Sequence, residues 1–107
     1  MESQRNSKRI NFNQKVKYGS DDVLNINATT LNLSPSGLAL KSYRTVTPGS
    51  RISLILYTGD TPIRLDGEVI WNSANDLKKD AEMGIKIVSR KDQLTKIYRE
   101  RIERNSD

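Results

Sequence analysis

From residue 10 to residue 87 the chain is a succession of short runs in which apolar and polar residues alternate, each run ended by turn-forming residues. Period-two alternation puts every second side chain on one face, so these runs fold as strands with one buried side, not as helices. Ile10, Phe12, Val16 and Tyr18 share a face in a first strand over 10–18, and Gly19-Ser20-Asp21-Asp22 reads as the turn after it. The second strand carries Leu24, Ile26 and Ala28, then changes phase to Leu31 and Leu33, which predicts a bulge or bend near Thr29-Thr30. Gly37 to Lys41 begins a third strand. Thr47-Pro48-Gly49-Ser50 suits a type II turn, and Ile52, Leu54 and Leu56 line a fourth strand. After a hairpin at Thr58-Gly59-Asp60-Thr61, the fifth strand holds Ile63, Leu65, Val69 and Trp71 on one face. The polar loop NSANDLKKDAE leads to a sixth strand marked by Met83, Ile85 and Ile87.

The period then changes. Leu94, Ile97, Tyr98 and Ile102 fall at helical spacing, with Ser89 as the expected cap and Asp92 completing a box-like start. The expected fold is therefore all-β: a small six-stranded antiparallel β-barrel with one C-terminal α-helix. Its parts are a flexible basic arm at 1–9, the barrel at 10–89 and an amphipathic helix at 90–105. At 107 residues, one modest core is all the chain can build, since a domain of this size buries roughly 60 to 70% of its unfolded surface.

Composition narrows the chemistry. The chain has neither histidine nor cysteine, which removes Ser-His-Asp catalysis, thiolate nucleophiles and the commonest metal ligands. A non-enzymatic role is expected. The start MESQRNSKR lacks an apolar signal core, and no stretch approaches the ~18 apolar residues of a membrane span. A soluble, cytoplasmic protein is the expectation. The formal charge is +5, and residues 1–17 hold Arg5, Lys8, Arg9, Lys15 and Lys17 against Glu2 alone. An anionic partner follows from that imbalance.

Two motifs sharpen the partner. QRNSKR at 4–9 contains an RxxxR spacing, and NLSPSG at 32–37 fits the pattern D/N-x-S-x-x-G. With nine arginines present, RxxxR arises by chance about 0.7 times, whereas the second pattern arises only about 0.1 times. If Leu31 and Leu33 point inward, Asn32 and Ser34 point outward on one face, and Gly37 supplies a backbone angle other residues resist. Turn chemistry alone also accounts for Asn, Ser, Pro and Gly here. The order and placement of both motifs, one just before the first strand and one closing the second, carry more weight than either alone.

This arrangement resembles the PilZ domain, a bacterial receptor module for cyclic di-GMP. The resemblance spans nearly the whole chain: Arg5 and Arg9 match RxxxR, Asn32 to Gly37 match the second motif, and GEVIW at 67–71 and MGIKI at 83–87 look like the family's last two strands. It implies that Arg5 and Arg9 clasp guanine edges and phosphates, that Asn32 and Ser34 hydrogen-bond the ligand, and that Gly37 allows close approach. Lys8 and Ser36 are additional contacts in this reading. Asn32 stands where many members have aspartate, and an amide donates as well as accepts. The chemistry agrees, because a guanidinium fork suits both a guanine edge and a phosphate. In an extended arm Arg5 and Arg9 lie roughly 13 Å apart, against ~6 Å in a helix, and the extended form suits a ligand lying across the barrel.

The resemblance further implies no cofactor beyond the ligand and a relay to a downstream protein in motility, exopolysaccharide or regulatory machinery. Two alternatives stay open. One is a PilZ-like interaction module that binds no nucleotide. The other is a small-barrel nucleic-acid-binding protein, disfavoured because the aromatic residues are few and scattered.

Overall fold

In the computed structural model, which describes residues 9–20, 23–58, 61–73 and 81–105, the alternating runs form one sheet that closes on itself. The strands are β1 (Ile10–Asn11), β2 (Lys15–Ser20), β3 (Val23–Ser34), β4 (Gly37–Ser42), β5 (Arg51–Tyr57), β6 (Ile63–Asn72) and β7 (Ala81–Ser89), followed by helix α1 (Lys91–Asn105). Neighbours run β3-β2-β5-β6-β7-β4, and β4 pairs back onto β3, so six antiparallel strands make a closed barrel. Closure gives each of these six strands a neighbour on both sides. The short β1 is an extra strand laid against β3.

The inward faces follow the alternation. Val16 and Tyr18, Leu38 and Leu40, Ile52, Leu54 and Leu56, and Met83, Ile85 and Ile87 are all buried in one cluster. Leu94, Ile97 and Tyr98 bring one face of α1 into the same cluster. Ile102, expected on that face, is 36% exposed. The guanidinium of Arg101 lies 4.8 Å from the centre of the Phe12 ring, a cation–π contact. The turn at 47–50 is as expected: the Ser50 N–H donates to the Thr47 carbonyl at 3.1 Å, and Gly49 has φ +96°. Among the described residues no helix is long and apolar enough to cross a membrane.

Several local expectations are corrected. The predicted strand over 10–18 is broken into β1 and β2, because Phe12 dives into the core and Thr30 occupies the gap. The fully buried Thr30 hydroxyl accepts from the Gln14 N–H at 2.8 Å and donates to the Phe12 carbonyl. Asn13 Nδ2 adds a bond to the Thr30 carbonyl at 3.0 Å. A buried hydroxyl with both functions used satisfies backbone groups that the break would orphan. Gly19 and Ser20 belong to β2 and not to a turn, while residues 21 and 22 lie outside the described residues. The bulge in β3 falls at Leu31, between the pairs Thr30↔Leu40 and Asn32↔Ala39, close to where the change of phase predicts it. Leu31 is consequently half-buried and not a core residue.

The strand-to-helix junction also differs. Ser89 does not cap α1; its hydroxyl donates to Asp66 Oδ2 at 2.9 Å, and the Ser53 hydroxyl donates to Asp66 Oδ1 at 2.7 Å. Those two hydroxyl bonds, helped by Arg64 and Arg90, hold the Asp66 carboxyl below its ordinary pKa. The chain turns into the helix at Arg90, whose φ is 61°, and the acidic Asp92 in the first turn suits the positive end of the helix.

Candidate functional site

The NLSPSG motif forms the β3–β4 hairpin, with Ser34 paired to Gly37 across Pro35-Ser36. Ser34 does not point outward as predicted: it is only 3% exposed. Its hydroxyl is turned onto its own hairpin, 3.4 Å from both the Gly37 carbonyl it donates to and the Ser36 N–H it accepts from. The bulge at Leu31 accounts for this, since it breaks strict alternation just before the motif. Ser36 is exposed. Gly37 is not in the left-handed region; Gly49 is the positive-φ glycine among the described residues. A Cβ at Gly37 would instead stand 2.2 Å from the Ile85 carbonyl oxygen on β7. The glycine is required by close strand approach, not by its φ.

The two motifs meet. β1 pairs Ile10 with Leu33 and Asn11 with Asn32, so the strand leaving the arm runs directly along the second motif. Arg9, exposed at the end of the arm, donates from Nη1 to Asn32 Oδ1 at 2.5 Å. The structure thus brings Arg9 and Asn32 together across 23 positions of sequence. Arg5 and Lys8 lie outside the described residues.

Register extends the site to residues that the sequence did not single out. Asn32 pairs with Ala39 on β4, Ala39 with Gly84 on β7, and Gly84 with Trp71 on β6. Residues directly opposite one another share a face. The flanking Leu38, Leu40, Met83 and Ile85 belong to the core, so this row faces out. Ala39 and Gly84 make a floor of small residues, bounded by Trp71 on one side and by Asn32 with Arg9 on the other. A Cβ on Gly84 would sit 2.1 Å from the Trp71 Nε1, so the indole lies across that glycine.

Sequence reasoning had placed Trp71 inside with Leu65 and Val69. A register shift between Val69 and Trp71 turns it out, leaving it 40% exposed. The signal available was Gly84 in mid-strand, which marks close approach by another group. This outward row combines two small residues, an indole, a guanidinium and a primary amide. Those groups suit a ligand with planar aromatic rings and phosphates: the indole stacks, and the guanidinium pairs either a base edge or a phosphate.

The family model for the PilZ domain matches residues 3–104. No curated protein matches the sequence. Solved structures with the same fold include the Bacillus subtilis inhibitor of motility MotI/DgrA, at TM-score 0.71 and 14% identity, covering 94% of this chain and 52% of that one. The PilZ domain of YcgR from Escherichia coli with c-di-GMP aligns at TM-score 0.70 and 17% identity, covering 94% and 96%. The K. pneumonia MrkH–c-di-GMP complex aligns at TM-score 0.74 and 13% identity, covering 92% and 52%. The chain spans about half the length of the MotI/DgrA and MrkH chains.

Proposed function

The chain belongs to the PilZ domain family, and on that premise we propose that it is a cyclic di-GMP receptor whose N-terminal arm closes over the dinucleotide on the barrel surface. The observation that carries this reading is the Arg9–Asn32 bond at 2.5 Å, made where β1 lies along the second motif. Arg9 exchanges its amide acceptor for a guanine edge or phosphate when ligand arrives, and the freed Asn32 amide meets the base from the barrel side. Arg5 supplies the second guanidinium and Lys8 adds positive charge. Ser34 shapes the hairpin so that the backbone around Ser36 and Gly37 faces the ligand, and the Trp71 indole offers a stacking surface.

Two contacts of the helix support a relay to a partner protein. Helix α1 touches both ligand-binding segments: Arg101 covers Phe12, three positions after Arg9, and the Thr95 hydroxyl reaches the Pro35 carbonyl at 3.4 Å. Movement of either segment is therefore felt by the helix. In this reading the protein is a cytoplasmic, non-enzymatic effector acting through a partner in motility, exopolysaccharide or regulatory machinery.

Calorimetric titration tests the assignment. Cyclic di-GMP is expected to bind with Kd near micromolar or tighter, about −8 kcal/mol, while cyclic di-AMP and GTP bind far more weakly. Amide exchange is expected to slow near Arg5 to Arg9 and Asn32 to Gly37 on binding. No binding, or equal binding of cyclic di-AMP, overturns the reading.

A further inference from the structure

A second surface on the barrel is not used by the dinucleotide reading. A groove of about 1020 Å³ opens along β2 and β3, between the end of β4 and the end of β5, and is lined by Lys15, Lys17, Lys41, Asn27, Tyr43 and Tyr57 among others, with no acidic residue in its described lining. Register explains the clustering. Lys15 is opposite Thr29 on β3 and opposite Tyr57 on β5, and Thr29 is in turn opposite Lys41 on β4. One outward row therefore reads Lys41, Thr29, Lys15, Tyr57, and Lys17 begins the next row beside Asn27. All three lysines are exposed. Glu82, the acid nearest to them in register, is opposite Lys41 on β7 and outside the groove's lining. Tyr57 is 38% and Tyr43 62% exposed.

We infer that this groove is a docking surface for an extended acidic segment of a partner protein. Three ammonium groups without acids among the described lining residues make the field over the groove predominantly positive, which selects a negatively charged partner. Lys15 and Lys17 stand two residues apart on one strand, roughly 6.8 Å, which is the spacing of carboxylates at alternate positions of an extended chain. The three lysines stand at positions paired on both sides, Lys15 and Lys17 between β3 and β5 and Lys41 between β3 and β7, so recognition at these positions runs through side chains. The two tyrosines flank the charges and supply the apolar contact typical of interfaces. Single-stranded nucleic acid fits less well. Tyr43 and Tyr57 stand at opposite corners, roughly 16 Å apart by strand spacing, too far to stack successive bases as an adjoining platform does.

The inference rests on the groove and is independent of whether the dinucleotide binds. Lys41 nonetheless follows Ala39 by two positions on β4, so the groove borders the row through Asn32, Ala39, Gly84 and Trp71.

The test is chemical-shift mapping on the full chain with a short peptide alternating glutamate and serine, with an oligothymidylate of similar length in parallel. The expected result is peptide binding centred on Lys15, Lys17, Lys41 and Tyr57 that weakens with added salt. In the combined variant Lys15→Gln, Lys17→Gln, Lys41→Gln it is weakened about tenfold, as loss of three exposed ion pairs implies. That variant should keep the wild-type melting temperature and the wild-type response to cyclic di-GMP. Absence of peptide binding, binding unchanged in the variant, or tighter oligothymidylate binding in the groove overturns the inference. Loss of the cyclic di-GMP response in the variant overturns the separation of the two surfaces.

Discussion

The β4–β7 seam and the β1–β3 seam are both antiparallel pairings on one barrel, but they differ in extent. The first joins every position from Gly37↔Lys86 to Ser42↔Ala81 and has core residues beneath it. The second joins only Ile10↔Leu33 and Asn11↔Asn32, and Thr30 fastens the chain just beyond it. A wall paired along its length opens only with the whole fold, whereas a two-residue pairing opens by itself at small cost. The motif residues straddle both seams, so a stable wall adjoins a lightly held segment.

The strongest challenge to the wall is Gly37→Ala. Its Cβ would stand 2.2 Å from the Ile85 carbonyl oxygen, and relief requires parting two backbones, so a loss of about 3 kcal/mol is expected in denaturant unfolding. An alanine variant as stable as wild type would show the β4–β7 approach to be adjustable, and the contrast between the seams would weaken.

Thr30→Val acts on the other seam. It keeps the shape and strands the Gln14 N–H and Phe12 carbonyl, with an expected loss of about 2 kcal/mol. Amide exchange separates it from the first variant, because acceleration should concentrate at 10–14 and spare β4 and β7. Uniform acceleration would mean that the root of the arm is as integral as the wall.

Asp66 supplies a smaller effect, confined to the wall and the start of α1. Its folded pKa is depressed by the Ser53 and Ser89 hydroxyls, so its contribution is fully present above the ordinary carboxylate pKa. That contribution fades as pH falls through the lower folded value. Asp66→Asn is expected to cost about 1 kcal/mol near neutral pH and to flatten the acid limb of the stability curve. An unchanged acid limb would remove Asp66 as the clamp at this junction.

Arg9→Ala should change stability least, within about 0.5 kcal/mol, because the side chain is exposed. It should nevertheless weaken cyclic di-GMP binding by about 1 to 3 kcal/mol, and Arg9→Lys should not restore it, since an ammonium lacks the planar fork. A marked drop in melting temperature would place Arg9 in the structural frame and erase the difference between the two seams.

Much of the frame was legible before any coordinates. Ile52, Leu54 and Leu56, or Met83, Ile85 and Ile87, leave one choice of buried face, and Leu94, Ile97 and Tyr98 change period where the helix starts. Both halves of the candidate site were legible as motifs. The residues that were misplaced share a cause. Ser34, Leu31 and Trp71 follow or sit at bulges, and one inserted residue reverses the faces beyond it without altering composition. Thr30 and Ser89 were missed for another reason, since a hydroxyl's partner is chosen by what folding brings near it.

By itself, then, the amino-acid order determined a closed barrel of alternating strands with a terminal helix, and the pairing of an arginine motif with an N-x-S-x-x-G hairpin. The strands, the helix and the hairpin follow from local periodicity and turn chemistry, which need no distant partner, whereas the arginine motif gained its meaning from the resemblance to the family. Tertiary structure alone decided that Arg9 meets Asn32, that the Trp71 indole lies across Gly84, and that Lys15 and Lys41 share a groove. Those juxtapositions depend on strand register, and register is set by the sum of contacts over the whole sheet, not by any one stretch of chain.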